Sequence, residues 1–188
     1  MNRYGELMRV WKIAACAVLL LLGQRTFAHD GPIGEMPPDE RDQLISLGAR
    51  IHGAFGSLIA VGIRIGDDAR QKLKAAPRDL DVTYYSGKAA PCPCVVDGIM
   101  IATYASPGQH TLRVANEPAA GGQFGRVVIV HKPTNRSLEY TIPQTAAAVF
   151  MTANRGTPLE RWNSIMSLPE DQVFTRREGM GPMKESEK

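Results

Sequence analysis

Residues 58–73, LIAVGIRIGDDARQKL, decide how this chain folds. Their apolar positions recur at spacings of three and four residues, which predicts a helix with one apolar stripe. These positions are Leu58, Gly62, Ile65, Ala69 and Leu73. Gly62 and Gly66 each lower helix propensity by roughly 1 kcal/mol relative to alanine. On a buried face, a glycine lets a second backbone approach closely, so the stripe is expected to pack against another element.

A first helix precedes this stripe. Pro38 followed by Asp39 is typical of a helix start, and a turn is expected at Gly53–Gly56. Its predicted apolar face consists of Leu44, Leu47, Ile51 and Phe55.

The segments after the stripe alternate between strand and helix patterns. Strands are predicted at Leu80–Tyr85, Thr111–Ala115, Arg126–His131 and Ser137–Ile142. Helices are predicted at Cys94–Tyr104, Gln144–Thr152 and from Thr157 to about Met166. The predicted elements follow one another as two helices, a strand, a helix, several strands and a helical tail. This order predicts a single α+β domain with N-terminal helices packed on a mixed sheet.

Composition and charge limit the function classes. The chain of 188 residues is 44% hydrophobic and 22% charged, which favours a packed core over disorder. Of its 22 basic and 19 acidic residues, four basic residues and one acidic residue lie before residue 29, so the rest has no net charge. A neutral chain without a basic block is a poor match for nucleic acid or an anionic membrane surface.

The first 28 residues have the order of a secretory signal. Arg9 and Lys12 precede the apolar run IAACAVLLLL at 13–22, and Thr26-Phe27-Ala28 follows at the cleavage position. The run is too short to span a bilayer, so we expect a periplasmic or secreted protein with no membrane span after cleavage. The predicted organisation is a signal peptide (1–28), an extended lead-in (29–38), an α+β domain (39–152), a helical extension (153–177) and a disordered tail (178–188).

Cys92 and Cys94 in APCPCVVDG are the main chemical signal. Cys94 stands at a predicted helix start, where unpaired amide groups favour a thiolate. With one residue between them, the two cysteines could share a metal ion, form a disulfide or be two small buried residues. Asp97 is a lone charge in an apolar helix. It is either a helix-start charge or a hydrogen-bonding anchor for a neighbouring loop.

Two segments resemble the signatures of the FmdE-like domain family, which is named after a component of formylmethanofuran dehydrogenase. His52–Gly66, HGAFGSLIAVGIRIG, resembles H-G-H-x-C-P-G-x-x-x-G-x-R-x-G, and Cys94–Thr103, CVVDGIMIAT, resembles C-x-x-D-A-I-Q-x-x-T. The resemblance covers about residues 40–150. The chain departs from the first signature at Ala54 and Gly56, where the family has a histidine and a cysteine, so the match is to a degenerate, secreted member.

The resemblance implies an α+β fold with a site where the His52 turn meets the Cys94 helix start. Of the polar set that the resemblance places around a metal ion, His52 and Cys94 are present, and Cys92 is an extra thiol nearby. The predicted ligand-binding residues are His52, Cys94 and Asp97, and the predicted metal ligands are His52, Cys92 and Cys94. One imidazole with soft sulfur suits zinc or copper. No catalytic residue is assigned.

The predicted function is therefore binding of a metal ion or small ligand without catalysis. One alternative is a periplasmic thiol–disulfide or one-carbon accessory enzyme that uses Cys92 and Cys94. Another is a structural domain with a decayed pocket. The predicted partner is the ligand or metal ion, with no nucleic acid, and self-association into a homo-oligomer is left open.

Overall fold

The computed structural model describes residues 37–181, so the predicted signal peptide, nearly all of the predicted lead-in and the end of the predicted tail lie outside the described residues. The described part contains six α-helices, a short 3₁₀ helix and a five-stranded sheet. In chain order the elements are α1 (Pro38–His52), α2 (Ser57–Leu73), β1 (Leu80–Ser86), α3 (Val95–Thr103), the 3₁₀ helix (Pro107–Gln109), β2 (Leu112–Val114), β3 (Gln123–His131), β4 (Arg136–Pro143), α4 (Ala146–Ala153), α5 (Pro158–Met166), α6 (Glu170–Val173) and β5 (Thr175–Met180).

The sheet is mixed, with strand order β2-β1-β3-β4-β5. β1 and β2 are parallel, and α3 lies between them in the chain as the crossover that a parallel pair requires. The remaining three pairs are antiparallel, and β3 and β4 are joined by a short hairpin turn. This arrangement confirms the predicted α+β class with a mixed sheet.

One face of the sheet carries the core. Side chains alternate between the two faces of a strand, and every second residue in the central strands is fully buried. These residues are Leu80, Val82, Tyr84, Val127, Ile129, Leu138, Tyr140 and Ile142. The helices pack on this face, and α2 is the most deeply buried of them, with Ile59, Val61 and Ile65 at 0% exposure.

The crossing of α2 and α3 depends on two glycines that face each other. A Cβ atom at Gly62 would collide with the backbone oxygen of Val95, and a Cβ atom at Gly98 would collide with the backbone oxygen of Ile59. The prediction that a second backbone approaches Gly62 is therefore confirmed. Gly66 instead faces side chains, because a Cβ atom there would lie 2.7 Å from Ala102 Cβ. We call this crossing the glycine seam.

The apolar face of α1 differs from the predicted one. Leu44 is half-buried against the core, but Leu47 and Ile51 are 42% and 41% exposed. The helix turns Gly48 inward instead, and a Cβ atom there would lie 2.8 Å from the ring of Phe55. Phe55 folds back from the following turn onto α1, so the missing side chain of Gly48 makes room for its ring. A pattern that counts only large apolar residues misses such a position.

The last strand, β5, was not predicted. It begins within the predicted helical extension (153–177), after α5 and α6, and residues 178–180 of the predicted disordered tail belong to it. Its sequence, TRREGM, has no apolar alternation, and it is held by pairing with β4 and by ion pairs of Arg176, Arg177 and Glu178. Arg176 Nη1 donates to both carboxylate oxygens of Asp68, at 2.9 and 2.8 Å.

The hydroxyl of Tyr140 joins this ion pair by donating to Asp68 Oδ2 at 2.7 Å. Burial, together with the adjacent carboxylate of Asp68, raises the pKa of Tyr140 far above its usual value. The group is therefore a neutral donor that ties β4 and β5 to α2.

Among residues 37–181, no single helix is long and apolar enough to cross a membrane. The pair formed by α1 and α2 meets the criterion only when both are taken together, and it is bent by 120° at the turn between them.

Candidate functional site

His52 is the last residue of α1. Gly53 follows with φ at +91°, a left-handed conformation that suits glycine, and its N–H group bonds to the carbonyl oxygen of Ala49. This cap ends the helix abruptly. The side chain of His52 is left 34% exposed at the helix end.

The turn after His52 is held by residues from the other end of the chain. Arg161 of α5 donates to the carbonyl oxygen of Phe55 at 2.8 Å, and the Asn154 side chain accepts from the N–H of Ser57 at 3.0 Å. The buried hydroxyl of Ser57 donates to the carbonyl oxygen of Phe150 at 2.8 Å. Sequence reasoning missed these supports because the partners lie about a hundred residues away and carry no motif.

Asp97 lies in the first turn of α3, and its side chain contacts His52. The distance between His52 Nδ1 and Asp97 Oδ2 is 2.6 Å, and the Asp97 side chain is 26% exposed. Asp97 is thus a helix-start charge, and its hydrogen-bonding partner is the last residue of α1 rather than a residue of a loop. The contact joins the two segments that resemble the family signatures.

The hydrogen bond assigns roles to the two nitrogens of His52. An ionised carboxylate only accepts hydrogen bonds, so Nδ1 carries the proton that is shared with Asp97. The lone pair of the neutral imidazole is then on Nε2, which becomes the nitrogen that a ligand would use. This is the arrangement by which a carboxylate orients a metal-binding histidine from behind. Asp97 therefore acts as an orienting residue in this geometry.

Cys92 and Cys94 are joined by a disulfide, with their Cα atoms 5.3 Å apart. Cys94 is the N-cap residue of α3 and is only 9% exposed, whereas Cys92 is half-buried in the preceding loop. The first turn of the helix closes directly over this loop, because Val96 N–H bonds to the Pro93 oxygen at 2.9 Å. The structure thus realises the disulfide alternative.

The predicted zinc or copper ligands are not assembled in this state. Within residues 37–181, no group of three or more His, Cys, Asp and Glu side chains is arranged to hold a metal ion. Metal binding by cysteine needs thiolates, and the disulfide ties up both sulfur atoms. The donor set of His52, Cys92 and Cys94 fits a soft metal ion only after reduction, so the metal assignment stays a prediction.

Asp97 and Cys94 are three residues apart across the start of α3. Residues at this spacing on a helix are neighbours, with Cβ atoms about 5–6 Å apart. His52 therefore contacts the first turn of α3, whose N-cap residue is Cys94. We call His52, Asp97, Cys92 and Cys94 the His52 site.

The glycine seam positions this site. Gly98 directly follows Asp97, and its contact with the Ile59 backbone holds the start of α3 against α2. The sequence analysis identified Gly62 as a close-packing residue but not its partner Gly98. The second family signature offered a signal for Gly98. Gly98 aligns with the alanine that follows the aspartate in that signature, and alanine is also a small residue.

No curated protein matches the chain significantly. A family model described as FmdE, Molybdenum formylmethanofuran dehydrogenase operon, matches residues 51–175. The match begins just before His52, includes the whole His52 site and runs through α5 and α6 to the first residue of β5. It covers well over half of the chain, which therefore belongs to the FmdE family.

Proposed function

We propose that this chain is a secreted, degenerate FmdE-family domain that binds a metal ion or small ligand at the His52 site without catalysing a reaction. The observation that carries the proposal is the 2.6 Å contact between His52 Nδ1 and Asp97 Oδ2. It holds a partly exposed imidazole by Nδ1, which leaves Nε2 as the nitrogen available to a ligand, and it links the two signature segments of the family.

The residue types favour a soft or borderline metal ion. A neutral imidazole and thiolate sulfur are ligands that zinc and copper(I) prefer over hard cations. When bound, such an ion would act as a Lewis acid or as a structural or transported ion. His52 Nε2 and Cys94 Sγ would hold it, Cys92 would be a third ligand, and Asp97 would orient His52.

Binding without catalysis is supported by the departures from the family signature. Ala54 and Gly56 stand where the family has a histidine and a cysteine, so two potential ligands are missing from the turn after His52. Few protein ligands make an open, exchangeable site. Secretion is supported by the leader pattern of residues 1–28.

Competition titrations with zinc and copper(I) on the reduced protein test the proposal. His52→Ala and Cys94→Ser should each weaken binding at least tenfold, and Asp97→Asn should weaken it about 10–100-fold, as loss of an orienting partner does. The double variant His52→Ala/Cys94→Ser should lose little more than either single one, because both groups serve one ligand.

The matched control is His110→Asn. His110 is an exposed histidine with φ at +55°, a conformation that asparagine tolerates, and it lies beyond the other end of α3. Its replacement should leave binding unchanged. Equal affinities for the wild type and His52→Ala would refute the proposal.

The Cys92–Cys94 disulfide favours a second candidate function, thiol–disulfide exchange. The disulfide would accept two electrons from a substrate dithiol, which leaves as a disulfide, while Cys92 and Cys94 become thiols. This function predicts that Cys92→Ser and Cys94→Ser abolish oxidation of a reduced test protein equally. His52→Ala should then have no effect, in contrast to its expected effect on metal binding.

A further inference from the structure

One end of the sheet, where β1 begins and the β3–β4 hairpin turns, gathers basic side chains from separate parts of the chain. Lys72 and Lys74 are at the end of α2, Arg78 is in the loop before β1, and Lys132 is in the hairpin turn. All four are exposed, and among the residues that the structure describes none of them forms an ion pair. The sequence shows no basic block, because Lys132 is distant from the other three along the chain. We call these four residues the basic end.

The backbone fixes the two parts of the basic end against each other. The Lys132 N–H group donates to the carbonyl oxygen of Asp79 at 2.8 Å, and Asp79 directly follows Arg78. Leu80 is the register partner of His131, so the start of β1 lies beside the residue that precedes Lys132. The fold therefore holds the backbones that carry Arg78 and Lys132 side by side.

The carboxylates at this end already have partners. Glu178 Oε2 accepts from Arg136 Nη2 at 3.5 Å. Asp79 Oδ2 accepts from the N–H group of Ala76 at 2.9 Å and lies 3.6 Å from His131 Nε2. These contacts reduce the ability of both carboxylates to neutralise the basic end. This end therefore presents a local positive potential, although the chain after residue 28 has no net charge.

An apolar side chain is exposed beside these cations. Met180 ends β5 and is 68% exposed, more than any other large apolar side chain in residues 37–181. Its register partner is Arg136, which follows the hairpin turn. Two hydrogen bonds tie the next residue to the turn, from Gly181 N–H to the Asn135 oxygen at 2.8 Å and from Asn135 Nδ2 to the Gly181 oxygen at 3.0 Å. The chain thus holds Met180 next to the turn that carries Lys132.

We propose that the basic end docks the domain reversibly on an anionic bilayer surface, with Met180 as an apolar contact. Lysine and arginine near a bilayer are attracted to acidic headgroups, and an apolar side chain beside them gains by entering the interface. A fluid layer of headgroups suits long side chains on a helix end, a loop and a turn, because it needs no groove and no fixed geometry. The inference goes beyond the proposed function, because it does not involve the His52 site.

Docking in this way leaves the His52 site free. The turn after His52 precedes α2, and the basic end begins in the last turn of the same helix. α2 has 17 residues, and at about 1.5 Å per residue it is roughly 25 Å long. The His52 site and the docking surface therefore lie towards opposite ends of α2.

Co-sedimentation of the exported protein with lipid vesicles tests the proposal. One set of vesicles contains phosphatidylcholine alone, and the other contains phosphatidylcholine and phosphatidylglycerol in equal parts. The protein should sediment with the anionic vesicles and not with the neutral ones. Sedimentation should fall steeply as sodium chloride is added, because salt screens the attraction.

Two double variants locate the binding surface. Arg78→Asn/Lys132→Gln removes two charges from the basic end, and asparagine tolerates the left-handed φ of +74° at residue 78. The partition coefficient for anionic vesicles should fall roughly fivefold per charge, or about 25-fold for the pair. The matched control, Lys88→Gln/Arg155→Gln, removes the same net charge from exposed residues that follow β1 and α4, and it should change the coefficient less than about twofold.

A further variant tests the apolar contact. Met180→Gln keeps the charge and removes the apolar side chain, so it should weaken binding about tenfold. Urea titration should give the stability of the wild type for all these variants, because the replaced side chains are exposed. A loss of binding is then not a loss of fold.

The remaining results would each overturn the proposal. Equal losses of binding in the two double variants would show an effect of net charge alone, and equal sedimentation with neutral and anionic vesicles would refute electrostatic docking. If the protein sediments with neither set of vesicles, but binds polyglutamate through the basic end, the surface serves an acidic protein and not a bilayer. None of these results affects the His52 site, because its zinc titrations contain no vesicles.

Discussion

The two halves of α3 are held to the protein in different ways. Its middle is fixed at the glycine seam, where the Gly98 backbone lies against the α2 backbone with no room for a side chain. Its start is held by the partly exposed contact of Asp97 with His52 and by the disulfide in the preceding loop. The close-packed half therefore sets the position of the start.

The strongest test of this comparison introduces a methyl group into the seam. Gly98→Ala, or Gly62→Ala, would bring Cβ into a backbone oxygen of the opposite helix, which no side-chain rotation relieves. We expect a loss of about 3 kcal/mol or more in the free energy of unfolding, measured by urea titration.

Gly121→Ala is the matched control for the seam. Gly121 is exposed and its Cβ position has nothing within 4 Å, so the free energy of unfolding should change by less than about 0.5 kcal/mol. A loss below about 1 kcal/mol in Gly98→Ala would contradict the close approach of the two helices.

Alkaline pH should destabilise the core. Burial raises the pKa of both Tyr84 and Tyr140 above the usual value near 10. Above about pH 10, these tyrosines ionise in the unfolded chain and stay protonated in the folded one. The folded state then binds more protons, so stability falls by roughly 1.4 kcal/mol per pH unit for each tyrosine.

Urea titrations between about pH 9 and 11 measure this slope. Tyr140→Phe has no ionisable hydroxyl, so it should remove about half of this pH slope. The variant also starts from a lower stability, because it loses the hydrogen bond to Asp68. An unchanged slope in that variant would show that Tyr140 is not buried as described.

Opening the disulfide should cost less than disturbing the seam. The bridge closes a chain loop of only a few residues, so its removal should lower the free energy of unfolding by roughly 1–2 kcal/mol. Urea titration with and without a phosphine reductant measures this cost. A loss equal to that of Gly98→Ala would mean that the start of α3 is as integral to the fold as its middle.

Removal of the His52 imidazole should have the smallest effect on stability. A contact between side chains that are 34% and 26% exposed contributes about 0.2–1 kcal/mol. A double-mutant cycle of His52→Ala and Asp97→Ala measures the coupling directly. A coupling above about 2 kcal/mol would show that the pair of His52 and Asp97 is a structural anchor. That result would contradict the comparison, which assigns the anchoring of α3 to the glycine seam.

The sequence predicted the fold where local pattern and packing agree. The stripe of α2, the alternation of β1, β3 and β4, and the close-packing role of Gly62 all match the structure. The spacing of apolar residues did not predict that Leu47 and Ile51 lie on the exposed side of α1. Gly48 faces inward instead, because the ring of Phe55 folds back onto it from the following turn. β5 was missed because its residues show no apolar alternation. The contact of Arg176 with Asp68 that holds it joins residues far apart in the chain, and no local pattern indicates it.

The candidate site was predictable in part. Alignment to the two family signatures brought His52 and Asp97 into one site, and their side chains are in contact. Spacing alone left the state of Cys92 and Cys94 open, because cysteines separated by one residue can share a metal ion or a disulfide. The choice between them depends on the redox state of the surroundings, which the spacing of two cysteines does not encode.

The ion pair of Arg176 with Asp68 has a consequence for where this domain ends. The family match stops at residue 175, but the strand that completes the sheet begins there and is clamped to α2 by the next residue. At the other end, the match starts at residue 51, inside α1. The segment that the family model matches is therefore shorter than the folded domain, and domain borders drawn at its ends would cut through α1 and β5.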